Sequence, residues 1–131
     1  MKKKYFLIIA FLILAMFLSS CGGVIIPATD EAKIKNVVNE CVLAVNDQDW
    51  SKAKSYCVYG SEAYYQVCYI EDMVNTLHLY YGLITINYYI NILNVSIYGN
   101  YSEVSGGYYE SDSGYFWQYL QKVGNTWKIY K

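Results

Sequence analysis

Apolar and polar positions repeat with two different periods along this chain. Between residues 30 and 77, apolar residues recur every three or four positions, a spacing typical of helices that bury one side. From Leu83 onward they recur at every second position, which is typical of strands packed on one face. The change of period at Gly82 therefore divides this part of the chain into a helical portion followed by a sheet-forming portion.

Three helices are predicted before Gly82. The first begins at Asp30, a residue type that caps helix N-termini, and ends near Asn46. Asp49 caps a short second helix, and Ser61 caps a third that fades between residues 75 and 78. The apolar stripe of the first helix consists of Ile34, Val37, Val38, Cys41, Val42 and Val45.

Four strands are predicted after Gly82. The first starts at Leu83, and its alternation changes phase after Ile92, which predicts a β-bulge that bends the sheet. Turns at residues 99–100, 112–114 and 124–125 separate it from strands over 101–110, 115–123 and 126–130. Helices followed by an antiparallel meander predict an α+β fold: three N-terminal helices packed on one face of a strongly bent, cone-shaped four-stranded sheet.

The N-terminal segment has the pattern of an export signal. Three lysines follow Met1, and the 14 residues from Tyr5 to Leu18 are uncharged and mostly apolar. The next stretch, Leu18-Ser19-Ser20-Cys21, resembles the lipobox of bacterial lipoproteins. That resemblance implies cleavage before Cys21 and acylation of this residue, which would anchor an exported protein to the outer face of the cell membrane. In a two-membrane bacterium the anchor would instead lie in a periplasm-facing leaflet.

An uncleaved membrane anchor is the alternative interpretation of this segment. The 22 residues from Tyr5 to Ile26 are uncharged, which is long enough to span a bilayer. Small and polar residues over 19–23 interrupt the run, however, and this favours cleavage. The predicted organisation is a signal peptide over residues 1–20, a lipidated tether over 21–29 and one domain over 30–131.

Composition narrows the classes of function. Without residues 1–20 the chain has 111 residues, seven lysines, 11 acidic residues and no arginine, for a formal charge of −4. A mildly acidic domain without arginine lacks the positive surface that nucleic-acid binding requires. Its 16 tyrosines suit either a half-exposed sheet or an aromatic binding face.

Three stretches of the chain together resemble one known superfamily. Asn46-Asp47-Gln48-Asp49-Trp50 is similar to its turn between the first two helices. Residues 92–97 resemble its long bent strand, and residues 119–130 resemble its last hairpin. The chain from Asp30 to Lys131 thus resembles the nuclear transport factor 2-like superfamily, which includes ketosteroid isomerases. The resemblance implies a conical pocket between sheet and helices, and a possible homodimer formed through the open face of the sheet.

Two residues are candidates for acid–base chemistry in such a cone. His78 is the only histidine, and no second histidine or nearby carboxylate accompanies it, which favours a surface or helix-cap role. Glu110 is in phase with the apolar positions of its strand, but the turn that follows it favours a solvated position. No nucleophile motif, phosphate-binding loop or cofactor motif is present in the sequence.

Aromatic residues are candidates for lining a pocket, and cysteines are candidates for forming a disulfide. Tyr88, Tyr108, Trp117 and Trp127 are candidates for a pocket lining, although large aromatics also fill cores. After modification of Cys21, a disulfide is possible among Cys41, Cys57 and Cys68, with three buried thiols as the alternative. Their spacings match no zinc-site pattern, so no metal is expected.

These observations favour a non-catalytic, membrane-anchored module that binds a small apolar ligand or a partner protein. A proton-transfer enzyme of the isomerase or dehydratase type, using Glu110 or His78, is the first alternative. The second is a purely structural or immunity-type partner whose pocket is filled by side chains. An open cone would separate the first two hypotheses from the third.

Overall fold

A computed structural model describes residues 28–109 and 113–131, so that Cys21, the predicted signal peptide and Glu110 lie outside the described residues. The helices are α1 (Asp30–Asn46), α2 (Trp50–Ser55) and α3 (Glu62–Tyr81). The strands are β1 (Tyr89–Tyr98), β2 (Tyr101–Tyr109), β3 (Ser113–Val123) and β4 (Thr126–Ile129). The strands form one antiparallel sheet in the order β1-β2-β3-β4. The predicted fold class, α+β with three helices preceding a four-stranded antiparallel sheet, is confirmed.

The start of α1 differs from the prediction by one residue. Thr29, not Asp30, is the cap, because its Oγ1 accepts a hydrogen bond from the backbone N–H of Ala32 at 3.2 Å. Asp30 is the first helical residue, and its carboxylate accepts a hydrogen bond from Lys122 Nζ on β3 at 2.9 Å. The hydrogen bond and positive charge of Lys122 hold the pKa of Asp30 below its ordinary value. Asp30 therefore ties the helix start to the sheet.

The other two helices begin as predicted. Asp49 caps α2 by accepting a hydrogen bond from the N–H of Lys52 at 3.0 Å, and Ser61 caps α3. The prediction that α3 fades between residues 75 and 78 was wrong, because the helix continues to Tyr81. It ends at Gly82, whose φ of 83° is open to glycine and strained for other residues.

The predicted bulge is present in β1. Its pairing with β2 shifts register between Ile92 and Asn94, so that Leu93 is the extra residue. The hairpin turn at residues 124–125 also occurs as predicted. The predicted start of the first strand at Leu83 was wrong, because regular pairing begins only at Tyr89.

Side chains at the end of α1 hold the segment over residues 83–88, which has no regular structure. Asn46 Nδ2 donates to the carbonyl of Tyr88 at 2.9 Å, while Asn46 Oδ1 accepts from the N–H of Tyr88 at 2.8 Å. Gln48 Nε2 donates to the carbonyl of Ile84 at 2.7 Å. Two amide side chains thus supply the hydrogen bonds that a neighbouring strand would otherwise supply.

The core lies between the helices and one face of the sheet. Helix α1 packs on β1 and β4, α2 packs on α1, and α3 packs on α2. The largest fully buried side chains are Ile34, Val38, Val74, Val104, Leu120 and Ile129. On the opposite side of the sheet, the "outer sheet face" carries large aromatic residues that are each more than half exposed: Tyr89, Tyr98, Tyr101, Tyr109, Tyr115 and Trp117.

Candidate functional site

The cone contains a cavity of about 140 Å³ between α1, α3 and the sheet. Residues of α1, α3, β3 and β4 line it, together with Cys57 and Tyr88 from connecting segments. The lining is mainly aliphatic and includes two cysteines. Its residues are Cys41, Val42, Val45, Cys57, Ala63, Gln66, Val67, Ile70, Tyr88, Gln118 and Ile129.

A second cavity of about 280 Å³ adjoins the first beneath the bent part of the sheet. The two share Val42, Tyr88 and Gln118, and are referred to together as the "cone cavity". The remaining residues of the second part are Val38, Ile90, Tyr108 and Phe116. The cone is therefore open rather than plugged by its own aromatic side chains.

Gln118 supplies an unused polar group in this apolar space. It lies on β3 between the two parts of the cone cavity, and its Oε1 atom is buried with no hydrogen-bond partner. A buried carbonyl oxygen without a partner costs free energy, about 1–3 kcal/mol. A bound molecule with one hydrogen-bond donor would remove this cost.

Charged groups do not line the cone cavity within the described part of the chain. The residues of both parts include no Asp, Glu, Lys or His; the titratable groups there are tyrosines and the thiols of Cys41 and Cys57. General acid–base catalysis near neutral pH normally uses His, Asp or Glu within hydrogen-bonding reach of the reacting atom. The described walls of the cavity thus hold none of these groups.

Two of the four aromatics predicted to line a pocket do so. Tyr88 lines both parts of the cone cavity and Tyr108 lines the larger part. Trp117 lies on the outer sheet face and is 59% exposed, and Trp127 is 2% exposed in the core. Neither tryptophan is therefore among the residues that line the cone cavity. Trp117 faces away because successive side chains of a strand point to opposite faces, and its neighbours Phe116 and Gln118 point inward.

Of the two predicted acid–base candidates, only His78 belongs to the described residues. His78 lies in the last turn of α3 and is not among the residues lining the cone cavity. Its Nε2 is buried without a hydrogen-bond partner, a detail that the sequence did not indicate. Glu110 lies outside the described residues. Sequence reasoning missed Gln118 and Phe116, although their even spacing from the buried Leu120 could have identified them.

The three described cysteines are free thiols. Cys41 and Cys57 are buried in the wall of the cone cavity, whereas Cys68 is half-buried on α3 and does not line it. Over residues 28–109 and 113–131, no three His, Cys, Asp or Glu side chains cluster in a way that could hold a metal. In the same ranges, no helix has the length and hydropathy that a bilayer span requires.

Comparison with known proteins identifies the fold and goes no further. No protein-family model matches the sequence, and no curated protein matches it. Among solved structures, it is similar to a variant of the designed protein Rd1NTF2_05, with a TM-score of 0.56 and 7% sequence identity. That match covers 78% of this chain and 96% of the designed one. At this low identity the similarity shows architecture alone. The chain has an NTF2-like α+β fold.

Proposed function

We propose that this protein is a non-catalytic binding module that takes a small, neutral, apolar molecule into the cone cavity. The observation that carries the proposal is the cavity itself, an open space lined by aliphatic and aromatic side chains with one unpaired buried acceptor, Gln118 Oε1. Small-molecule sites commonly combine an apolar wall with a few polar groups that fix orientation.

The lining supports a specific ligand chemistry. Because no charged side chain lines the described walls, a charged ligand would lose its hydration without gaining an ionic partner. A ligand with one O–H or N–H group can donate to Gln118 Oε1 and leave the rest of its surface against Val38, Val42 and Phe116. The volumes of the two parts together suit a molecule of two or three rings.

Binding is favoured over proton-transfer catalysis by the same lining. Isomerases and dehydratases need a base that reaches the substrate, and the described cavity walls offer only phenols and thiols. The structural-partner hypothesis requires a filled interior, which the cavity volumes do not support.

The test uses N-phenyl-1-naphthylamine, a neutral fluorescent probe with one N–H donor. We expect saturable fluorescence enhancement with the wild-type protein and at least about tenfold weaker binding for Val42→Trp, because an indole at this shared position fills both parts of the cavity. Leu43→Trp is the matched control, since Leu43 is on the same helix and 52% exposed. It should bind the probe as the wild type does.

Two results would contradict the proposal. One is equal affinity of the Val42→Trp and Leu43→Trp variants. The other is loss of binding in Trp117→Ala without loss in Val42→Trp, which would place the probe on the outer sheet face. Gln118→Leu adds a finer test, because it removes the acceptor and should weaken binding of this N–H donor more than binding of a purely apolar naphthalene probe.

The proposed location is the outer face of a membrane, through a lipid on Cys21. Its support is the sequence pattern over residues 1–21 alone. Expressed in a bacterium that is fed labelled palmitate, the wild-type protein should incorporate the label and Cys21→Ala should not. Cys68→Ala is the control for nonspecific acylation and should be labelled like the wild type. Equal labelling of the Cys21→Ala variant would reject the anchor.

The outer sheet face remains the predicted surface for pairing of two copies.

A further inference from the structure

Cys41 and Cys57 meet at one backbone oxygen. Cys41 lies on α1, and Cys57 follows α2 in a segment bridged to Ile129 of β4. The Sγ atoms of both cysteines donate to the carbonyl oxygen of Ala53, each at 3.7 Å. Two thiols that are 16 positions apart in sequence are therefore adjacent in the fold, and both are buried.

The two thiols also interact with each other. A hydrogen bond with Cys57, together with burial, raises the pKa of Cys41. The same hydrogen bond, helped by the positive charge of Lys128, lowers the pKa of Cys57. The opposite directions favour Cys57 as the thiol that ionises first, after which the S–H of Cys41 can donate to the Cys57 thiolate instead of the Ala53 carbonyl. A thiolate stabilised by a second thiol is the reactive form in cysteine oxidation.

Access to the pair is through the smaller part of the cone cavity, which both cysteines line. A space of about 140 Å³ has room for a few molecules of the size of water, each of which occupies about 30 Å³ in the liquid. A small oxidant therefore fits beside the thiols, whereas the disulfide of a folded oxidoreductase does not reach them without opening of the domain. Cys68 does not line this space and lacks that access route.

We infer that Cys41 and Cys57 form a reactive dithiol that hydrogen peroxide, or another small hydroperoxide, oxidises to an intramolecular disulfide. The Cys57 thiolate attacks one peroxide oxygen, the O–O bond breaks, and the leaving hydroxide takes a proton to become water, which leaves Cys57 as a sulfenic acid. The Cys41 sulfur then displaces hydroxide from that sulfenic acid, and the thiol proton leaves with it as a second water. Two thiols lose two hydrogens, and one peroxide is reduced to two waters.

This inference concerns the cavity wall and is independent of whether an apolar ligand binds. The test uses the full-length wild-type protein in mild detergent, first reduced and then treated with hydrogen peroxide. Remaining thiols are blocked with N-ethylmaleimide under denaturing conditions, and the product is digested with chymotrypsin. Chymotrypsin cuts after tyrosines such as Tyr59 and Tyr64, which separates the Cys57 peptide from that of Cys68.

The expected product is a Cys41–Cys57 cross-linked peptide, two hydrogens lighter than the sum of its reduced components, with Cys68 alkylated. The Cys68→Ser variant should give the same product at the same rate. Cys57→Ala should give none and should leave Cys41 alkylated, because the first nucleophile is missing. A cross-link that includes Cys68, a disulfide only between two chains, or complete alkylation of Cys41 and Cys57 after peroxide would each overturn the inference. Because the wild-type protein alone can give these results, the test does not depend on the folding of any variant.

Discussion

Replacing Gly106 with alanine should lower the free energy of unfolding by about 3 kcal/mol, since a methyl group there has no room. A Cβ atom on Gly106 would lie 2.2 Å from the carbonyl oxygen of Asn91 and 2.8 Å from Cε1 of Phe116. The Phe116 ring can move, but the Asn91 carbonyl is backbone in β1, so the two strands would have to separate. Denaturant unfolding followed by circular dichroism measures the change.

Gly107 is the matched control for this prediction. It is the next residue of the same strand, and the nearest atom to its added Cβ would be Tyr109 Oη at 3.5 Å, an ordinary contact. Gly107→Ala should change the free energy of unfolding by less than about 1 kcal/mol, and a gain is possible because alanine restricts the unfolded chain. Equal destabilisation by both variants would mean that glycine is needed here for backbone conformation and not for close approach of strands.

The close approach at Gly106 lies beside the bend of the sheet. Gly106 pairs with Ile92, directly before the register shift at Leu93. The bulge and the small residue facing it together allow β1 to curve towards the helices, and Phe116 on the adjacent strand then faces the larger part of the cone cavity. Stability of the bend and shape of the proposed binding site therefore depend on the same few residues.

Local patterns in the sequence were sufficient to predict the fold. The change of period at Gly82 separates helices from strands, and the change of phase after Ile92 marks the bulge. The segment over 83–88 shows the limit of such patterns. Apolar residues do alternate in this segment, and Ile86 is buried. The backbone of the segment, however, forms hydrogen bonds with side chains about 40 residues earlier in the chain. The local spacing of apolar residues does not distinguish that arrangement from a strand.

The candidate site was less predictable than the fold. Tyr88 and Tyr108 are in phase with apolar neighbours, so alternation identified the side on which they lie. Trp117 is a large aromatic residue, and size carries no information about which face of a sheet a residue occupies. Gln118 was overlooked because a polar residue between aromatics in a strand ordinarily faces water. Its even spacing from Leu120 was the one signal in the sequence for the inner face, and the register with β2 shows that its amide lies inside the cone.

Asn46 is the residue through which α1 positions the wall of the proposed binding site. We expect Asn46→Ala to lower the free energy of unfolding by about 2–3 kcal/mol, because two partly buried hydrogen bonds between Asn46 and the backbone of Tyr88 would be lost. Tyr88 lines both parts of the cone cavity, so the same variant should also weaken binding of N-phenyl-1-naphthylamine. Unfolding by denaturant and titration of the probe measure the two effects separately.

Asn39→Ala is the appropriate comparison, since Asn39 lies exposed on the same helix. Both substitutions gain the higher helix propensity of alanine, a few tenths of a kcal/mol, so the difference between the two variants isolates the contacts with Tyr88. Asn46→Asp should fall between wild type and Asn46→Ala, because a carboxylate still accepts from the Tyr88 N–H but faces its carbonyl without a proton to donate. If Asn46→Ala instead behaves like Asn39→Ala in both measurements, the side chain of Asn46 does not hold the segment over 83–88, and the shape of the cone cavity must be maintained by apolar packing against α1 alone.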